Sequence, residues 1–153
     1  MYSTILWASD GSESSDIALE EALRLLEPGG HLIAFHSEQR FTASRVGGLP
    51  VYPDEPDRIQ HIRLQVDELR QRGIDVELTI EETHREPVPE IVHAAEAAHV
   101  EAIVCGTRGL HGLTGLVSGS MAARLVRHAP VPVIVVPMHV ATHAVANAEA
   151  SAV

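Results

Sequence analysis

Five glycines stand among the fifteen residues of "GTRGLHGLTGLVSGS", from Gly106 to Ser120, directly after the apolar run "AIVC". Glycine in that number frees the backbone to turn where a side chain would collide with a bound group. Helical spacing follows, and the first N–H groups of a helix have no partner inside it. Gly119 and Ser120 stand at that start, so their backbone donors suit phosphate oxygens, aided by the helix dipole. The Ser120 hydroxyl adds a donor, and Arg108, the stretch's one arginine, adds a charge-assisted one.

Strands and helices must hold such a loop. "STILWAS" (3–9) reads as a short buried strand. Ala18, Leu19, Ala22, Leu23, Leu25 and Leu26 then recur at helical spacing between Ser12 and Glu27. Ser12, Ser14 and Ser15 offer cap oxygens, and Pro28-Gly29-Gly30 stops the helix. "HLIAFHS" (31–37) is a second strand, and 38–55 a loop long enough to imply function or mobility. A helix over 57–72 precedes the strand "DVELTI" (75–80), and Val88, Ile91, Val92, Ala95 and Ala98 mark a third helix. The strand "EAIVCG" (101–106), a helix over 120–128 with Met121, Leu125 and Val126 inward, and the strand "VPVIVV" (131–136) complete the chain.

Alternation of this kind predicts one α/β domain over 1–137, with a mostly parallel sheet and helices on both faces. The tail over 138–153 is expected to be flexible, with a short helix as the alternative. In an open α/β sheet ligands sit beyond the carboxyl ends of the strands, where strand order reverses. Strands one and four meet there, so Asp10 and the glycine loop should face one crevice. Two common phosphate loops do not fit. "GLVSGS" lacks the lysine of the P-loop, and no two of these glycines are separated by a single residue, as the dinucleotide fingerprint requires.

Gly106, Gly109, Gly119 and Ser120 do stand as G-x2-G-x9-G-[ST]. That pattern resembles the ATP-binding signature of the universal stress protein family, and the resemblance covers nearly the whole chain. "ILWASDGSESSDIAL" is similar to the family's opening strand and helix, with the acidic residue at Asp10, and "PVPVIVVP" to its closing strand. The resemblance implies a Rossmann-like, adenine nucleotide alpha hydrolase-like sheet of five parallel strands in the order 3-2-1-4-5. It implies ATP as ligand, with Mg2+ carried on the phosphates and no metal held by the protein alone. The nucleotide-binding set it implies is Asp10, Ser37, Cys105, Gly106, Arg108, Gly109, Gly119, Ser120 and Met121. Asp10 would meet the nucleoside or the metal, and the backbone of Phe35 to Ser37 the adenine. The closing strand, through Val133, Ile134, Val135 and Val136, would pair with its copy in a homodimer.

The formal charge of −10 disfavours nucleic acid and anionic membranes as partners, yet leaves a small phosphate ligand open. No run approaches the length of a membrane span, no signal peptide is apparent, and the lone Cys105 excludes an internal disulfide. A cytoplasmic protein is expected. The ten histidines are scattered, without metal-ligand spacing. The expected function is an ATP-binding regulatory or protective module in stress response, with no catalytic residues. A slow ATPase or nucleotide hydrolase, and a cyclic AMP sensor of the same fold, are the alternatives.

Overall fold

The computed structural model describes residues 1–39, 55–83, 86–107 and 121–138. Five strands and four helices alternate: β1 (Tyr2–Ala8), α1 (Glu13–Leu25), β2 (Leu26–Gln39), α2 (Glu55–Gln71), β3 (Asp75–Thr83), α3 (Val88–Ala97), β4 (Ala102–Gly106), α4 (Met121–His128) and β5 (Val133–Val136). All four strand pairings are parallel, in the order β3-β2-β1-β4-β5. The expected fold class and strand order are both found.

Alternation along the strands sorts the core into two layers. Ile5, Trp7, Leu32 and Ala34 face α1 and α2, packing on Ala18, Ala22, Ile62 and Val66. Leu6, Ala8, Ile33 and Phe35 face α3 and α4, packing on Val88, Ile91, Ala122 and Leu125. Strands covered on both sides must be apolar throughout, which is why they read as unbroken apolar runs. Trp7, fully buried, donates its indole N–H to the Ser15 carbonyl of α1 at 2.9 Å.

Several boundaries and contacts differ from the sequence reading. α1 ends at Leu25, two residues early: Leu26 turns extended, with ψ 132°, while its N–H still reaches the Ala22 carbonyl. Leu26 then pairs with Tyr2, and His31 with Thr4, so Pro28, Gly29 and Gly30 bulge from β2 rather than cap a helix. At the other end β2 and β3 run on together, Glu38 beside Glu82 and Gln39 beside Thr83, where charged residues had suggested loop. β5 begins at Val133, because Pro130 and Pro132 lack N–H donors, although the Pro132 carbonyl still accepts from Ile103. Val126 is 56% exposed and not inward: the stripe that α4 buries is Ala122 and Leu125. The tail and most of the 38–55 loop lie outside the described residues, as does 108–120 of the glycine loop.

Candidate functional site

β1 lies between β2 and β4, so the crossover direction reverses beside it. A shallow crevice opens there at the carboxyl ends of these three strands. Ala8, Ser9 and Asp10 line it from β1, Phe35, His36 and Ser37 from β2, and Gly106 from β4. Ser15, Pro87, Ile91 and Met121 close it from the helices.

The turn after β1 is built tightly. Ser9 continues the ladder, its N–H donating to the Phe35 carbonyl at 2.9 Å. Gly11 takes φ +73°, and a β-carbon there would stand 2.8 Å from Cβ of Arg58, so α2 leaves room only for glycine. Ser12 caps α1, its hydroxyl accepting from the Ser15 N–H, and Glu13 and Asp16 stand in the helix's first turn, where the dipole favours acid.

Asp10 splits its carboxylate between two tasks. Oδ1 accepts from the Ser12 N–H at 2.9 Å and from the Ser12 hydroxyl. Oδ2 is buried with no partner among the described residues. The hydroxyl of Ser37 is likewise buried and without a partner among the described residues. Buried polar atoms are nearly always hydrogen-bonded, and leaving one unpaired costs roughly 1–3 kcal/mol. Asp10 and Ser37 bring two such atoms to one crevice, where a polar group could satisfy both. Glu86 and Glu90 also leave an oxygen unpaired, but each engages its other one: Glu86 pairs with Arg124, and Glu90 accepts from Thr83 at 2.7 Å.

Of the residues expected in the site, Asp10, Ser37, Gly106 and Met121 come together around the crevice. Cys105 stands one residue behind the wall, fully buried in the core between sheet, α3 and α4. Burial pushes its thiol up to about 12, so it stays protonated at neutral pH. Arg108, Gly109, Gly119 and Ser120 lie outside the described residues. Gly106 is glycine for a reason beyond ligand access: a β-carbon there would fall 2.3 Å from Oγ of Ser14, so β4 and α1 could not pack. Among the described residues no group of histidine, cysteine and carboxylate is placed to hold a metal.

The sequence reading took His36 only as backbone within Phe35 to Ser37 and gave its side chain no part in the site. Its buried ring bonds the Ser9 carbonyl through Nδ1 at 2.8 Å and Glu55 through Nε2 at 2.6 Å. Nothing in spacing signals a pair formed nineteen residues apart across a loop.

An open parallel sheet with a crevice and an acidic turn at its switch point defines a Rossmann-like class of α/β protein. Comparison with known proteins narrows the class. The family model described as the universal stress protein family matches residues 1–137, and the chain belongs to that family. Universal stress protein YxiE of Bacillus subtilis (strain 168) is 28% identical over 151 residues, spanning 89% of this chain and 99% of its own. A universal stress protein structure from Burkholderia pseudomallei shares 26% identity at a TM-score of 0.63, covering 89% of this chain and 96% of that one. A universal stress protein solved in complex with cAMP superposes at a TM-score of 0.66 with 23% identity, covering 90% and 98%.

Proposed function

We propose that the crevice binds an adenine nucleotide, ATP carrying Mg2+, and that this stress protein serves as a nucleotide-responsive regulatory or protective module in the cytoplasm. The observation that carries the reading is the pair of unpartnered buried atoms, Asp10 Oδ2 and Ser37 Oγ, at the switch point. A carboxylate oxygen accepts only, so it calls for a ligand hydroxyl or a cation on the phosphates. A serine hydroxyl donates and accepts, as the edge of a base or a ribose requires. The glycine pattern from Gly106 to Ser120 supplies the phosphate side of the reading.

Cyclic AMP is the second ligand, favoured by the fold's likeness to the structure in complex with cAMP. Binding rather than fast hydrolysis suits the described walls. Asp10 is their one carboxylate and is tied to Ser12, and both nitrogens of His36 are engaged. We also read β5 as a dimer strand. It is the sheet's edge, and its Val133, Ile134 and Val135 are only half-buried, an apolar edge that soluble proteins normally cover.

Thermal unfolding tests the ligand. One that binds only the folded state stabilises by about 2.7 kcal/mol at a hundredfold excess over Kd. At roughly 2–4 °C per kcal/mol for this size, saturating ATP with magnesium should raise Tm by ~5–10 °C. Cyclic AMP run in competition ranks the two ligands. No shift with ATP, ADP or cyclic AMP at millimolar concentration refutes the nucleotide reading.

A further inference from the structure

His36 stands on β2 in alternation with Leu32 and Ala34, and so points to the face covered by α1 and α2. Of the crevice's helical walls, Ile91 and Met121 belong to the opposite face and Ser15 of α1 to this one. His36 borders the crevice, but both of its ring nitrogens are turned to protein partners, so the ring acts on the site through what it holds. At Nδ1 it holds the Ser9 carbonyl, 2.8 Å away. A carbonyl only accepts, so Nδ1 carries a proton. At Nε2, 2.6 Å away, stands Oε1 of Glu55, the first residue of α2. One further proton must lie between ring and carboxylate, whichever of the two carries it. Without it, two lone pairs face each other across a buried contact.

The Ser9 carbonyl belongs to the peptide that leads into Asp10. The next carbonyl, that of Asp10 itself, accepts from Nη1 of Arg58 at 3.4 Å. The first turn of α2 thus grips the peptides on both sides of Asp10, through Glu55 and His36 on one and Arg58 on the other. Packing of Arg58 under Gly11 completes the template. The described charges around the ring are Glu55 and Arg58 of α2, Asp10 after β1, and Glu38 of β2 and Glu82 of β3, which sit side by side on the same face.

We infer that His36 is a positioning residue for the crevice: the proton it shares with Glu55 holds the Ser9–Asp10 peptide in place, and nucleotide affinity falls when that proton is lost. The inference rests on the nucleotide reading of the crevice. Its sign follows from the bonds. The clasp is closed while the shared proton is present and opens as pH rises through its loss.

The test is the Kd for Mg-ATP between about pH 5.5 and 8.5, the window in which histidine contacts change charge. Wild type is compared with Glu55→Gln and His36→Asn. Ionisation of the ATP phosphates contributes the same slope to all three, so the difference in slope is the signal. Glutamine at 55 donates an amide N–H to an unprotonated Nε2, which keeps the clasp closed at every pH. Glu55→Gln should match the wild type at acid pH and bind about threefold or more tightly than it at alkaline pH. His36→Asn keeps a donor toward Ser9 that does not depend on the shared proton, and should follow the Glu55→Gln slope. A structural role alone would weaken binding equally at every pH. Binding by all three proteins with identical slopes overturns the clasp and leaves the nucleotide reading standing. Absence of ATP binding at every pH, in folded protein, overturns both.

Discussion

Replacing Asp10 by asparagine separates the two tasks of its carboxylate. The amide oxygen takes the place of Oδ1, because two donors of Ser12 converge there. The NH2 group then occupies the position of Oδ2, and an acceptor facing the crevice becomes a donor. The turn keeps its bonds, so the ligand-free protein should melt within ~2–4 °C of wild type, a change of about 1 kcal/mol. Binding is different. A hydrogen bond to a charged acceptor contributes about 1.5–3 kcal/mol, and each 1.36 kcal/mol is tenfold. Asp10→Asn should therefore weaken ATP by roughly 10–150-fold. Asp10→Ala removes the Ser12 bonds as well, and should lower the ligand-free Tm by roughly 2–8 °C, for about 1–2 kcal/mol. Calorimetric titration and thermal melts of the three proteins give both quantities. If Asp10→Asn binds ATP as wild type does, the free oxygen meets no ligand and Asp10 is only a turn residue.

Other outcomes are expected from single features. Gly106→Ala forces a β-carbon into Ser14, and denaturant titration should show a loss of about 1–3 kcal/mol, larger than ligand contact alone would produce in the ligand-free protein. Light scattering at micromolar concentration should give twice the 16.5 kDa of the chain, and a clean monomer would remove β5 from any dimer. Burial holds the Cys105 thiol neutral up to about 12, whereas in the unfolded chain it ionises near 9. The folded state keeps its proton where the unfolded state has lost it. Stability should thus fall above about pH 9, by up to ~1.4 kcal/mol per pH unit, and Cys105→Ser should flatten that slope. The same burial should leave the native thiol unreactive toward a thiol reagent at pH 8, and rapid labelling of folded protein would contradict it.

Much of this molecule is legible in its sequence because the signals are local. Apolar runs of "STILWAS" and "AIVC" type, each followed by helical spacing, give the element order, and right-handed crossovers leave few sheet topologies to choose from. Asp10, Ser37 and Gly106 fall at strand ends, where a ligand must sit. What escaped reading depends on distant partners. Glu82 and Thr83 look like loop until Glu38 and Gln39 are seen pairing with them. The end of α1 depends on Tyr2 reaching Leu26. Gly106 looks like a ligand glycine until Ser14 is placed against it, and His36 looks like one histidine among ten until Glu55 arrives beside it.

Trp7 is the chain's only tryptophan, and it sits fully buried with its indole bonded to Ser15, a residue of the crevice wall. That arrangement makes the protein its own optical instrument. Tryptophan emission comes from one residue, so no signal averaging over sites blurs it. Its colour reports whether the sheet is intact, since unfolding moves the ring from a dry core into water. Its intensity reports on the Ser15 carbonyl, because an excited indole is sensitive to what its N–H donates to. A dye-free titration can then follow occupancy and melting in the same cuvette, on the unmodified chain.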